Sequence, residues 1–338
     1  MSNQTSTIAR GGGNHSAAGR RRKQTGRTPR KSLPSWVIPY ALLLPGLLII
    51  AGLLLYPLFQ MIVMSTQKVG LREIRRGTPP ESVGLGNFET ILDNDLFWSA
   101  LRNTVLFAVF AVTFTLVVGT LVGLLINRLG KKMSKLVIVG CMAAWAVPPV
   151  AVGVIWRWLA DADAGIINWF LNLLPDWLAA PPDGQTSWTG YPWLNDVLPI
   201  YVILTIAVVW QSFPFIAVSV LAGLKSIPSE LYEAAKVDGS SAFRTFWKIT
   251  MPLLKPVFAV LTVLSIIWDF KVFNQLFILA GGTTNREAFN LSMYAYAEAF
   301  RSPPKMGSGA AIAVLLTLIL LVVTAVYVRQ IVKQEDIR

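Results

Sequence analysis

The sequence predicts an all-α membrane protein. It has six transmembrane helices, both termini cytoplasmic, and a helix–turn–helix loop between spans four and five. Three observations carry this reading. The 338 residues are 54% hydrophobic and only 14% charged, with a mean hydropathy of +0.55, whereas a soluble domain carries about 25% charged residues. So few charges cannot clothe a water-facing surface, and the solvent of most of the chain must be lipid. Six stretches reach the ~20 mostly apolar residues that a membrane helix requires. The net charge of +12 gathers on alternate loops. The same composition excludes much chemistry. One histidine, His15, and one cysteine, Cys141, leave no material for a His-based triad, a zinc site, an iron–sulfur cluster or an intrachain disulfide.

The chain opens with a tail, 1–35, of Gly, Ser and Thr with eight Lys/Arg and no acid. Such a composition cannot bury a core, so the tail is expected to be disordered. It does not read as a secretory signal. The apolar stretch that follows is too long for a signal core and lacks a small-residue cleavage site. Asn14-His15-Ser16 fits a glycosylation pattern, but a cytoplasmic tail makes that a coincidence. The six spans are 36–64, 103–126, 136–159, 198–224, 257–279 and 309–332. The first contains Pro39, Pro45 and Pro57, which membrane helices tolerate with kinks or tilt.

Basic residues set the orientation. The tail, the loop after span two (Arg128, Lys131, Lys132, Lys135), the loop after span four and the C-tail 333–338 with Arg329 hold twenty Lys/Arg and five acids. The opposite loops hold eight Lys/Arg and twelve acids. That asymmetry places both termini in the cytoplasm. It accounts for the positive charge without nucleic acid, and the tail can also touch anionic lipid.

The loop after span one, 67–102, contains Gly84-Leu85-Gly86-Asn87-Phe88 and Phe97-Trp98, and Asn103-Thr104 opens the next span. Its apolar content points to a short helix against the outer face. The loop after span three, 160–197, has five aspartates, with Trp169, Trp177, Trp188 and Trp193, and Trp158 at its mouth. These tryptophans suit membrane-interface anchors or stacking platforms for sugar rings. Arg157 and Trp158 are placed to snorkel to the interface. Cys141 reads as an inert thiol inside span three.

The loop after span four differs from a plain connector. Ser226 or Ser229 is a candidate cap for a helix carrying Glu233, and Leu231, Ala234 and Ala235 lie at helical spacing. Gly239 ends that helix. A second amphipathic piece carries Phe243, Phe246, Trp247 and Ile249, with Pro252 and Pro256 expected to stop it before span five. The shape suits docking into a groove on a cytoplasmic partner or lying on the membrane surface.

Glu233-Ala234-Ala235, Asp238-Gly239, Ile249 and Pro252 closely resemble the EAA loop of ABC import permeases. The GLGNF segment, Asn103-Thr104 and Leu279-Ala280-Gly281-Gly282 are similar to segments of maltose-type carbohydrate permeases. The resemblance covers most of 36–332, with the EAA coupling loop at 225–256 within it. It implies a permease subunit moving a sugar, an oligosaccharide, into the cytoplasm. Glu233, Ala234, Ala235, Asp238 and Gly239 would couple it to a cytoplasmic ATPase. The implied partners are a second homologous permease, two ATPase subunits that hold ATP and Mg, and an extracytoplasmic solute-binding protein. This chain has no Gly-x-x-x-x-Gly-Lys-Ser/Thr loop of its own; Gly130-Lys131 is the nearest segment. No cofactor is expected on it.

Span five is the most polar, through Trp268-Asp269-Phe270-Lys271-Val272-Phe273-Asn274-Gln275. Ionisable groups inside a membrane usually face a wet cavity or a protein interior. On an unbroken helix Asp269 and Phe273 share one face, and Lys271, Asn274 and Gln275 another. Asp269, Phe273, Asn274 and Gln275 are therefore the candidate substrate path, suited to a neutral polyol. Contacts to a sister permease or to backbone would use the same groups. Span six offers only Ser308, Thr317 and Thr324, with Tyr294, Tyr296 and Glu298 in the loop before it. Glycerol-phosphate would need more than Lys271 along the path. A membrane-embedded enzyme would need more than the close pair Asp161 and Asp163.

Overall fold

The computed structural model describes residues 37–181 and 184–335. The basic tail with His15, and the last three residues of the C-tail, lie outside them. The chain divides into two units, with the boundary after Leu55. The described part of the first is α1 (Val37–Ile50), which contains Pro45 and runs into a π turn, Ala51–Leu55.

The second unit begins with α2 (Tyr56–Ser65). A small antiparallel pair follows, β1 (Gln67–Lys68) with β2 (Glu81–Ser82), around α3 (Leu71–Arg76). Then come α4 (Gly86–Leu92), α5 (Asp95–Arg128), α6 (Lys131–Trp145) and α7 (Pro149–Leu159). The next elements are α8 (Ile166–Asn172), α9 (Asp176–Ala179), α10 (Val197–Ser226), α11 (Ser229–Val237) and α12 (Ala242–Thr245). The chain finishes with α13 (Met251–Phe270), α14 (Asn274–Leu279), α15 (Leu291–Phe300) and α16 (Met306–Glu335). Among the described residues five helical stretches are long and apolar enough to cross a membrane, and the bent pair α6 and α7 makes a sixth when counted as one broken span.

Several spans differ from their sequence reading. Span two starts at Asp95, capped by the Asn94 side chain, which accepts from the Leu96 amide. Phe97 and Trp98 are thus inside the helix and not in a loop. At 34 residues the helix is about 50 Å long, well beyond the ~30 Å hydrocarbon core. Hydropathy saw only its apolar middle. Span three is not one rod: α6 and α7 meet at 92°. Pro148 forces its predecessor out of the helical region, and Pro149 opens the next helix. Pro252 and Pro256 do not stop the helix before span five. The missing N–H of Pro252 falls just after a π turn, Phe246–Thr250, and α13 continues straight on. Tyr294, Tyr296 and Glu298 stand on α15, not in a loop.

The bundle is organised on α5 and α10. Ala111, Thr115, Gly119 and Gly123 recur every four residues and are buried against α10. A Cβ on Gly119 would stand 2.5 Å from Cβ of Ile216, and one on Gly123 would stand 2.8 Å from the Ala217 carbonyl. Small residues at this spacing let membrane helices approach closely, where packing must replace the hydrophobic effect. The opposite face of α5, with Phe110, Phe114, Leu121 and Leu125, is exposed, as a lipid-facing surface should be. One apolar cluster gathers Phe97, Phe107, Leu204, Leu276, Phe289 and Leu291. A second joins Ile216, Val220 and Leu224 to Leu254 and Leu261.

Polar residues of the sequence motifs fasten this bundle. Asn87, in the GLGNF segment, donates to the carbonyls of Ser65 and Gln67 at 2.8 and 2.9 Å. Asn103 donates to the Glu287 and Phe289 carbonyls, and the Thr104 hydroxyl accepts the Leu291 amide. These motifs therefore close loops on α2 and α15.

Candidate functional site

Two spans lose their helix within the bundle, and the freed backbone is satisfied by side chains. In span three the break is Ala146-Val147-Pro148. Gln211 of α10 donates to the Val147 carbonyl at 2.7 Å. In span five the break is Lys271-Val272-Phe273, where the backbone at Phe273 has φ −131° and ψ −56°. Asn290, fully buried, donates to the Val272 carbonyl at 2.6 Å and accepts the Met293 amide at 2.9 Å, capping α15. Gln275 donates to Gln211 at 3.0 Å, so a short hydrogen-bonded chain joins spans three, four and five. Membrane proteins tolerate irregular backbone only where protein or a wet cavity supplies such partners.

Beyond the breaks α7 and α14 pack tightly. A Cβ on Gly153 would stand 3.2 Å from the Gln275 Cα. Arg157 donates to the Ile278 carbonyl in the last turn of α14. It caps a helix end and does not snorkel, because that end presents carbonyls within its reach.

A cavity of about 520 Å³ opens between the two breaks, lined by Trp145, Gln211, Ser212, Trp268, Asp269, Lys271, Asn274 and Gln275, with the Ala146–Pro149 turn. Asp269, Phe273, Asn274 and Gln275 all line it. An unbroken helical wheel would put these four on two different faces. The break at 271–273 changes the phase, so groups assigned to different faces meet on one cavity wall. Asp269 is only 4% exposed. Its carboxylate has no hydrogen-bond partner among the described residues. Phe273 also packs on Phe277 and Tyr296, with ring centroids at 5.3 and 5.0 Å. Sequence reasoning missed Trp145, Gln211 and Ser212. The available signals were a Pro-Pro pair within an apolar stretch and a Gln-Ser pair in the middle of span four.

At the other end of α13 lies the loop with Glu233. Neither Ser226 nor Ser229 caps α11. Ser226 bonds back to the Gly223 carbonyl, and Pro228 occupies the cap position, presetting the backbone entry. The helix ends on Gly239 at φ +69°. The Gly239 amide donates to Lys236, and the Ser240 amide to Ala235, at 3.1 and 2.9 Å. That is a Schellman closure, which requires a left-handed residue. Ser241 then caps α12 by accepting the Arg244 amide. Ala235 is buried, and Tyr232 bonds Thr250 at 3.2 Å. Glu233, Ala234 and Asp238 are exposed. Apolar Val237, Phe243 and Trp247 are exposed beside them.

The remaining candidates are structural. Asp161 accepts the amides of Asp163 and Ala164 in a tight turn, so the pair is not poised as two facing carboxylates. Trp188 stacks on Trp193 at 5.4 Å with Tyr191 edge-on, and the indole N–H groups donate to Ala179 and Asn168. Those two tryptophans are inner packing. Trp158, Trp169 and Trp177 are exposed. Cys141 is a free, half-buried thiol, and Gly130 precedes α6 as its N-terminal cap position.

Residues 115–334 match the protein family described as binding-protein-dependent transport system inner membrane component. The diacetylchitobiose uptake system permease protein DasB of Streptomyces coelicolor is 36% identical over 298 residues, covering 88% of each chain. The trehalose/maltose transport system permease protein MalF of Thermococcus litoralis is 31% identical over 293 residues, covering 86% of this chain and 92% of that one. A chain of a bacterial ABC transporter involved in the import of the acidic polysaccharide alginate shares the fold. Its TM-score is 0.71 at 21% identity, covering 88% of this chain and 96% of that one. The apolar spans, the two side-chain-supported helix breaks and matches of this extent lead to one conclusion: the chain belongs to the binding-protein-dependent ABC import permeases, as a multi-pass inner-membrane transport subunit and not an enzyme.

Proposed function

We propose that this subunit passes a sugar, an oligosaccharide, into the cytoplasm, through the cavity between the broken spans. The cavity carries the reading. Trp145 and Trp268 line it, each with its ring also packed on Phe215, and Asn274 adds an uncharged amide beside Gln211 and Gln275, which keep hydrogen-bonding capacity beyond their bonds to each other and to Val147. Stacking with a few placed polar groups is how a neutral polyol is held. The relatives named for diacetylchitobiose and for trehalose and maltose support the same substrate class. Glycerol-phosphate is less well served, since Lys271 is the one cation of the lining.

The proposed assembly has a second homologous permease, two ATPase subunits holding ATP and Mg, and an extracytoplasmic solute-binding protein. In it, residues 36–332 form the transmembrane domain, with the coupling loop at 225–256. Glu233, Ala234, Ala235, Asp238 and Gly239 face the ATPase, with Val237 and Phe243 as the apolar tip that enters its cleft. From α12 through the π turn to Phe270 the chain stays helical. A displacement at the loop can therefore travel along α13, about 30 Å of rod, to the break beside Asp269. Rigid-body rocking of this kind alternates access to a fixed site. Asp269, Phe273, Asn274 and Gln275 are the proposed substrate contacts.

The test is reconstitution of the whole transporter in proteoliposomes. ATP hydrolysis and uptake are measured with a panel of disaccharides and oligosaccharides, each with the binding protein. An oligosaccharide should stimulate hydrolysis, and Asp269→Ala or Gln275→Ala should lose uptake while the complex still assembles. Uptake without any ATPase subunit would refute the reading.

A further inference from the structure

We propose that residues 166–178 form an interfacial anchor, lying in the membrane–water boundary with the apolar face of α8 turned into lipid. The observation is a helix built inside out. At about 100° per residue, Trp169, Leu173, Ile166 and Phe170 fall within one arc of roughly 100°, and all four are exposed. The two asparagines take the other side and bond to the chain's own loop, Asn168 buried and Asn172 at the edge. Asn168 donates to the Ala162 carbonyl at 2.7 Å and accepts the Trp193 indole at 2.6 Å. Asn172 accepts the Trp188 amide at 2.7 Å and approaches Thr189 at 3.3 Å. A segment facing water would have the reverse arrangement. Trp177, 83% exposed, and Leu178 continue the apolar surface.

Lipid is the occupant that the surroundings favour. The segment follows directly on the end of a span, whose last turn leaves Trp158 exposed. The Asp161 turn folds the chain back so that α8 starts seven residues after α7 ends. The exposed apolar end of α7, at Trp158, is thus only eight residues in sequence from the first exposed residue of α8. Tryptophan, an apolar body with one polar N–H, favours this depth. No Lys or Arg occurs from Trp158 to Val197, so the contact rests on apolar burial and not on anionic headgroups. The proposal needs only that the chain sits in a membrane. It holds whichever face the loop occupies and whatever is transported.

The test places single nitroxide labels on the assembled transporter in phosphatidylcholine nanodiscs, in a Cys141→Ser background. Labelled sites are Trp169→Cys, Leu173→Cys and Trp177→Cys. Asp163→Cys serves as the water-facing reference and Phe110→Cys as the lipid-facing one. Accessibility to oxygen is compared with accessibility to a water-soluble nickel chelate. The three test sites should favour oxygen, at a shallower depth than site 110, with no change when salt is raised. Accessibility to nickel matching site 163 would overturn the proposal by placing the segment in water. Protection from both reagents would overturn it in favour of a protein partner. Failure of site 110 to favour oxygen would instead strike at the membrane placement of the spans. Loss of assembly in any one variant leaves the other two sites to decide.

Discussion

Gly239 sits at φ +69°, a region that costs a residue with a Cβ about 1–2 kcal/mol. No atom crowds the position, so the cost of a substitution is backbone strain alone, confined to the turn between α11 and α12. Gly239→Val should therefore leave membrane insertion and thermal stability of the bundle nearly unchanged, while weakening copurification of the ATPase subunits and sugar-stimulated hydrolysis. Unchanged copurification would show that the turn does not shape the docking surface. Asn290 is the opposite case, since its side chain serves two buried backbone groups at once. Asn290→Ala leaves the Val272 carbonyl unpaired and α15 uncapped, each worth about 1–2 kcal/mol. Thermal unfolding in detergent should fall by several degrees. Thr115 tests the converse rule. Among the described residues its hydroxyl is the one side-chain polar atom fully sealed from solvent without a hydrogen bond, whereas the Asp269 carboxylate lines the cavity. Thr115→Val keeps the shape and removes the unpaired group, so it should be neutral or stabilising by up to about 1 kcal/mol, read as a raised unfolding midpoint.

At the scale of elements the α5–α10 crossing depends on two glycines, and the prediction is differential. Gly119→Ala sets a methyl 2.5 Å from Ile216, whereas Gly140→Ala, on α6, meets nothing within 4 Å. The first should cost about 1–3 kcal/mol by overpacking; the second should be neutral or slightly stabilising through helix propensity. Equal effects on the unfolding midpoint would mean that the crossing is not close in the membrane. This contrast also marks what could be read from sequence. Apolar runs located the five long helices and the bent pair α6 and α7, because lipid demands such runs irrespective of the neighbours. Asp269, Asn274 and Gln275 stood out for the same reason, as polar groups in apolar surroundings. The bend of span three and the break in span five depend on partners distant in sequence. Gln211 supports one and Asn290 the other, so a wheel drawn through residues 269–275 grouped side chains wrongly. Gln211 alone in span four gave no hint that its acceptor was Val147. Trp188 and Trp193 looked like Trp169 and Trp177 in composition, and only the hydrogen bonds of their indoles separate inner packing from exposed surface.

For the whole molecule, charge and chemistry divide along the same axis. Twenty Lys/Arg lie with five acids on one set of loops, and eight lie with twelve acids on the other. The Glu233 loop falls on the basic side, which the positive-inside rule assigns to the cytoplasm, where ATP is available. The loop with α8 and the aspartates falls on the acidic side, where a solute-binding protein would deliver its cargo. If orientation and coupling are one design, the two loops must be reachable from opposite faces. In a Cys141→Ser background in intact cells, Ser187→Cys, near the exposed end of the α8–α10 loop, should react with a membrane-impermeant maleimide. Ser240→Cys, in the turn after Gly239, should react only after the cells are opened. A fluorescent protein fused to the C-terminus should glow, since it matures in the cytoplasm. The reverse labelling pattern would put Glu233 on the side without ATP, and the ATP-driven mechanism would then fail together with the orientation, whatever sugar the cavity accepts.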